Sequence, residues 1–205
     1  MAATESLDRR DEAVTLWLDP VCPFSWNTAR WLTAAAEKAG FEIELRMMNL
    51  AVLNEGRLLP PPQQARMNDS QKVGRLMAAL RDEVGMSALA SAYFAFGQLY
   101  FDRSAAIADE LVDHVLRVAG AHRTTAAALT DSSLDAAVRQ SHELSQNALG
   151  DIGGSPLVTI GGRTVFGPVF ASLPDPDRTL TVFDAVTALV LTPQFSQLER
   201  PRVHA

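Results

Sequence analysis

The sequence predicts an α/β protein in which a βαβ unit and a ββα unit are separated by a long all-helical insertion, and three observations carry that prediction. Apolar residues alternate at Val14, Leu16 and Leu18 and again at Phe41, Ile43, Leu45 and Met47, with a helical stripe between the two runs. From about residue 63 to residue 149 every apolar pattern has helical period. Strand signals return only at Leu157. With 205 residues, 47% of them hydrophobic, the chain is long enough to bury a sizeable core in one domain carrying an insertion.

Each element follows from local pattern. Trp17 stands between Leu16 and Leu18, so the first strand is apolar on both faces, as a central strand would be. It runs directly into Asp19-Pro20-Val21-Cys22-Pro23-Phe24-Ser25. Trp26, Ala29, Leu32 and Ala36 then recur at helical spacing, and Gly40 supplies a carboxy-terminal stop. The second strand, where Glu42, Glu44 and Arg46 alternate with apolar residues, completes a βαβ unit that requires a parallel pair. Leu59-Pro60-Pro61-Pro62 breaks regular structure and opens the insertion.

Inside the insertion Val73, Leu76, Met77, Leu80 and Val84 form one stripe, Leu89, Ala92, Tyr93, Phe96 and Tyr100 a second, and Ile107, Leu111, Val115 and Val118 a third. A fourth helix is expected to start at a capping-box-like Ser132-Ser133-Leu134-Asp135. Gly161-Gly162 joins two short strand runs as a hairpin, and Leu180, Phe183, Val186 and Val190 mark a last helix after Asp177. The predicted organisation is a sheet layer from 12–60 and 150–195, with 63–149 inserted.

Composition narrows the function classes. A net charge of −6, with Lys and Arg scattered, provides no basic stripe for nucleic acid. Met1 to Glu12 is polar, and Ala13 to Leu18 is too short for a signal core or a membrane span, so no membrane partner and a cytoplasmic location are expected.

The single cysteine, Cys22, excludes an intrachain disulfide and leaves one thiol for intermolecular chemistry. At the first turn of a helix a sulfur meets unpaired N–H groups and the positive end of the helix dipole, which favour thiolate and hence a nucleophile. Pro23 suits the first helical position. Ser25 stands three residues on, where its hydroxyl could donate to the sulfur. A lone free cysteine is commonly a buried small hydrophobe; the helix-cap placement and Pro23 favour reactivity instead.

Asp19 reads equally as a tuner of Cys22 or as a helix-start carboxylate, and Trp26, Arg30 and Trp31 as core packing beside a solvated arginine. The aromatic stripe Tyr93, Phe94, Phe96, Tyr100 and Phe101 reads as core, with a ligand cleft expected between the insertion and the sheet layer. His114, His122, His142 and His204 show no metal-ligand spacing, so no metal site is expected.

The order βαβ, insertion, ββα with a cysteine at the first helix resembles the thioredoxin fold, and the helical insertion resembles its DsbA branch. Gly153-Gly154-Ser155-Pro156 precedes the hairpin, where that family carries a cis-proline facing the cysteine. More closely, Trp17 to Trp26, Arg30-Trp31, Met48 to Glu55, Gly154-Ser155-Pro156 and Phe166-Gly167-Pro168-Val169 are similar to the actinobacterial mycothiol-dependent nitroreductases. The resemblance implies a cytoplasmic oxidoreductase that uses mycothiol as reducing thiol, with Cys22 as the attacking sulfur. It further implies Pro23, Phe24 and Trp26 flanking the site, Asn54 as a polar contact near the cysteine, and Ser155 with Pro156 pairing with the extended thiol substrate.

This chain departs from the pattern at Ser25, where better-known members carry a second cysteine. A monothiol cycle follows: Cys22 meets an electrophilic or disulfide substrate, and a low-molecular-weight thiol regenerates it. Nitro compounds are among the substrates implied, and a homodimer is compatible with the reading.

Two alternatives use the same fold. Kappa-class glutathione transferases and hydroxychromene-carboxylate isomerases bind a thiol cofactor through serine at the first motif position, where this chain has Cys22, so activation would fall to Ser25. A noncatalytic binding protein would keep the fold with Cys22 inert. Monothiol glutaredoxins that hold an iron–sulfur cluster have glycine where Pro23 stands, and one thiolate is too few for a cluster.

Overall fold

A computed structural model describes residues 14–201. Residues 12 and 13, the polar stretch before them and His204 lie outside the described residues. Strand β1 (Val14–Leu18), helix α1 (Pro23–Ala39) and strand β2 (Ile43–Met47) form the expected βαβ unit, with Val14 opposite Ile43 and Leu18 opposite Met47 in a parallel pair. Strands β3 (Leu157–Ile160) and β4 (Arg163–Phe166) form the hairpin, and β3 pairs antiparallel with β1, Trp17 opposite Leu157. The sheet order is β2-β1-β3-β4. Gly161 and Gly162 turn the hairpin at φ of 55° and 73°, values that suit the twist of the flanking strands and that glycine adopts without strain.

Helix α1 ends as expected at Gly40, whose left-handed backbone lets its N–H close on Ala36 O at 2.7 Å. The last helix, α6 (Thr179–Leu191), packs against α1, and Trp31 anchors the contact by lying between Phe170 and Phe183 and donating Nε1–H to Thr179 O.

Between the two halves of the sheet the chain is helical: α2 (Leu50–Leu53), α3 (Pro61–Gly97), α4 (Asp109–Ala119) and α5 (Asp135–Leu149). Pro61 and Pro62 open α3, where a missing N–H costs little. The first two apolar stripes lie along α3, which kinks at Gly85 with φ 80° and ψ −179°, except that Tyr100 falls just beyond it in the Gln98–Asp102 turn. The expected capping box at Ser132 is displaced by one residue. Asp131 accepts from Ser133 N–H at 2.9 Å and caps a single 3₁₀ turn, and α5 begins only at Asp135. One apolar cluster runs from Leu16 and Leu18 in the sheet to Tyr93, Phe96 and Val112 in the helical stretch, so the two parts share a core.

Glu83 locks the segment after α4 onto α3. Its carboxylate accepts N–H groups from His122, Arg123 and Thr124 at 2.6, 2.7 and 2.7 Å and the Thr124 hydroxyl at 2.7 Å. These donors favour the charged form and hold its pKa at about 2, below an ordinary 4.5. A depressed carboxylate pKa contributes stability that is present above pH 4.5 and lost as pH falls toward 2. Urea unfolding of wild type and Glu83→Gln should therefore differ at pH 7 and converge as pH is lowered through that window; a gap that does not narrow would refute the assignment.

Candidate active site

The site is built where β1 meets α1. Cys22 is the N-cap of α1 in extended conformation (φ −83°, ψ 115°), with Pro23 at the first helical position. Its backbone is pinned on both sides, by Cys22 N–H to Asp19 O and by Trp26 N–H to Cys22 O, both 3.1 Å. The expected position is therefore found. The thiol itself is 4% exposed and donates to Ser155 O at 3.4 Å. The Ser155–Pro156 peptide bond is cis, and the Pro156 carbonyl accepts Gly167 N–H at 2.9 Å. A second cis bond, Gly167–Pro168, lies beside it, and Thr28 Oγ1 donates to Pro168 O at 2.8 Å.

Ser155, 133 residues further along the chain than Cys22, joins Asp19 and Ser25 around the sulfur. Ser155 Oγ accepts Asp19 N–H at 2.8 Å and lies 2.6 Å from Ser25 Oγ, both serines being buried. Because Ser155 Oγ already accepts from Asp19, its own proton can go to Ser25, which frees the Ser25 hydroxyl to donate toward Cys22. That donation lowers the thiol pKa, as do the Ser25 and Phe24 N–H groups of the first helical turn. Burial outweighs them. The Cys22 pKa is pushed up, first by desolvation of the thiolate, with the Asp19 carboxyl adding to the rise. The expectation that helix placement alone would depress it is thus corrected: helix-end donors are present, but a sulfur removed from water gains less from them than it loses in hydration.

The rate of Cys22 alkylation by iodoacetamide should consequently keep rising through pH 9, because the thiolate fraction grows until the pH passes the raised pKa. A plateau below pH 8 would show a depressed pKa and contradict the geometry.

Asp19 is fully buried and organises the surroundings. Its carboxylate accepts Val21 N–H at 2.9 Å, Leu50 N–H at 2.7 Å and the Ser70 hydroxyl at 2.5 Å. Burial pushes its pKa up, while the Leu50, Ser70 and Val21 donors pull the other way. Asn49 extends the network, capping α2 by accepting Val52 N–H at 3.0 Å and donating to Ser70 O at 2.9 Å. Gly74 makes room for it: a Cβ there would stand 2.5 Å from Asn49 Nδ2. Sequence reasoning weighed Asp19 but missed Asn49 and Ser70, whose only signal was a polar residue on an otherwise apolar strand end or helix face.

Two expected site residues have side chains engaged with other partners. Trp26 is 4% exposed, so it does not offer the site an aromatic surface. It stacks on Phe101 at 5.7 Å, meets Tyr93 edge-on at 5.8 Å and donates Nε1–H to Asp102 at 3.0 Å. Its size and helical spacing draw it into the core shared with the insertion. Arg30 caps it, 5.4 Å above the ring and 3.6 Å from Asp102. Asn54 is engaged within its own turn, donating to Leu50 O at 2.9 Å and facing Met67 Sδ and Arg57, as a residue ending so short a helix must. Pro23 and Phe24 are partly exposed beside the cysteine. Among the described residues no group of His, Cys, Asp and Glu could hold a metal ion, and no helix is long and apolar enough to cross a membrane.

Comparison with known proteins agrees with this architecture. The sequence pattern of the family described as "Rv2466c-like: Mycothiol-dependent nitroreductase Rv2466c" matches residues 21–200. The uncharacterized protein Rv2286c of Mycobacterium tuberculosis is 27% identical over 191 residues, 92% of this chain and 82% of that one. Among solved structures, a probable DsbA oxidoreductase of Streptomyces coelicolor is similar with a TM-score of 0.56, at 16% identity and 95% coverage of both chains. The cytosolic disulfide reductase DsbM of Pseudomonas aeruginosa, solved with GSH, is similar with a TM-score of 0.51, at 17% identity over 86% of this chain and 100% of that one. At such identities the structural likeness establishes the DsbA-like thioredoxin fold. The family pattern, matched across most of the chain, establishes the rest: the chain belongs to the Rv2466c-like family and is a thiol-dependent oxidoreductase.

Proposed function

We propose that Cys22 is the nucleophile of a monothiol cycle whose reducing partner is a low-molecular-weight thiol, mycothiol, in the cytoplasm. The observation that carries this reading is the convergence of Ser25, Ser155 and the first-turn N–H groups of α1 on one sulfur with no second cysteine in the chain. Ser25 is the hydrogen-bond donor to the thiolate, and Ser155 with Pro156 holds the extended substrate, with Pro23 and Phe24 at its edge. Residues 12–60 and 150–195 supply the catalytic layer, and 63–149 cover it.

For a disulfide substrate R–S–S–R′, the Cys22 thiolate attacks one sulfur, forms Cys22–S–S–R and releases R′S⁻. Mycothiol thiolate then attacks the R sulfur, giving its mixed disulfide with R and restoring the Cys22 thiolate. For a nitro compound, Cys22–SH and one mycothiol reduce Ar–NO₂ to Ar–NO and water while joining as a mixed disulfide. A second mycothiol releases Cys22–SH and leaves with the first as mycothiol disulfide. The GSH held by DsbM supports a small thiol as partner in this fold, and the family description supports mycothiol.

One observation favours the inert alternative: the sulfur is buried and its pKa is raised. Treatment with mycothiol disulfide separates the readings. Mass spectrometry should find one mycothiol attached at Cys22, removed by added mycothiol, and an unmodified protein after prolonged exposure would sink the proposal.

A further inference from the structure

Phe166 stands at the end of β4 with 47% of its surface exposed, although Leu157, its register partner on β3, is fully buried. Single exposed apolar side chains are ordinary on a protein surface. This one is held at a defined place beside the sulfur. Its ring tip, Cε2 and Cζ, passes over the chain at Gly154, 3.3 and 3.8 Å from where a Cβ would stand, so glycine leaves the space that the ring occupies. The residue after Gly154 is Ser155, whose carbonyl accepts the Cys22 thiol at 3.4 Å.

Both sides of this contact are tied down. Gly153 N–H donates to Gln146 Oε1 at 2.7 Å, which fastens the loop before Ser155 to α5. Gly167 N–H donates to the Pro156 carbonyl at 2.9 Å, which fastens the residue after Phe166 to the same loop. Val165 packs against the main core, and because successive strand residues face opposite sides, Phe166 cannot follow it inward. Ile152, 74% exposed, adds a second apolar side chain to the loop that carries Ser155. A ring already fixed against backbone at its tip gives up little freedom when another flat group stacks on it or meets it edge-on.

We infer that Phe166, with Ile152 in the adjoining loop, is a specificity-determining residue that favours substrates whose attacked sulfur carries an aromatic group. The inference rests on Cys22 as the nucleophile and adds which group R is preferred in the mixed disulfide Cys22–S–S–R.

The test compares benzyl and methyl methanethiosulfonate on the full chain, with Cys22 modification followed by intact mass. In each case the Cys22 thiolate attacks the sulfur that bears R, the new S–S bond forms, and the bond to the sulfonyl sulfur breaks as methanesulfinate leaves with its electron pair. The leaving group is the same for both reagents, and N-acetylcysteine gives their rate ratio for a thiol in water. The benzyl-to-methyl ratio at Cys22 should exceed that reference by about tenfold, the scale of one aromatic pair. Phe166→Ala should return the ratio to the reference while leaving the methyl rate within about twofold. Phe166→Leu, which keeps an apolar side chain in the strand but no flat ring, should lower the ratio as well. A wild-type ratio at or below the reference, or a ratio unchanged in Phe166→Ala, would overturn the assignment while Cys22 stands as nucleophile. Failure of both reagents to modify Cys22 would overturn the nucleophile itself and this inference with it. Should Phe166→Ala lose its folded circular dichroism spectrum, the wild-type ratio and Phe166→Leu decide the question alone.

Discussion

Replacing Cys22 with alanine should lower turnover of a chromogenic mycothiol mixed disulfide by on the order of 10³-fold or more, the scale on which loss of a covalent nucleophile acts. The side chain removed is small, so the fold should persist with little change in unfolding free energy, and circular dichroism and urea unfolding verify that the loss is chemical. The outcome also discriminates between enzymes of one fold. A protein that bound a cofactor thiol and activated it through the Ser25 hydroxyl would retain most of its rate without the sulfur, because Ser25 and Ser155 would still face each other at 2.6 Å. Retained activity would therefore transfer the chemistry to Ser25. A complete loss assigns it to Cys22.

Trp26→Ala should destabilise the protein by about 3–5 kcal/mol, the range for emptying a large aromatic site in a core. Trp26 joins α1 to α3 and to the turn at Gln98–Asp102, through Tyr93, Phe94 and Phe101 and through the Asp102 carboxylate. The packing is tight enough that Gly97 is required under it: a Cβ there would come within 2.3 Å of the indole ring. A loss of that size is a large share of the 5–15 kcal/mol typical of a folded domain. Urea unfolding measures it, and Trp26→Phe should recover much of the loss while forfeiting the hydrogen bond to Asp102. A cost below 1 kcal/mol for alanine would mean that α1 is held to the insertion by other contacts.

The elements that sequence revealed are those whose cause is local. Alternation at Val14, Leu16 and Leu18, the stop at Gly40 and the Gly161-Gly162 turn each depend on a few neighbouring residues, and each is found where pattern placed it. Gly85 shows the limit: its positive φ bends α3, yet apolar residues at helical spacing continue on either side, so the bend leaves no trace in periodicity. Within the widened turn Gln98–Asp102, Asp102 accepts from an indole 76 residues earlier, a contact no local pattern carries. Helix α2 is four residues long and is held by Asp19 and Asn49, too short for any period to show.

The site divides in the same way. Cys22, Pro23 and Ser25 form one local motif and Ser155 with Pro156 came from the family resemblance, and the structure brings the two serines and the sulfur together. Helical spacing read Trp26 as core packing while the family resemblance set it beside the cysteine, and its 4% exposure agrees with the core reading. The rise in thiol pKa was illegible for a different reason. Helix-end donors can be read from the chain, whereas desolvation depends on everything that closes over the sulfur.

The bond from Asp19 N–H to Ser155 Oγ spans 136 residues, and that distance has a consequence for biosynthesis. A ribosome delivers Cys22 early and Ser155 late, so throughout most of translation the thiol has neither the carbonyl that accepts its hydrogen bond nor the hydroxyl that pairs with Ser25. The nascent chain thus carries an unsheltered sulfhydryl for the interval in which more than a hundred further residues are joined, open to capture by oxidants or by cellular thiols before any enzyme exists.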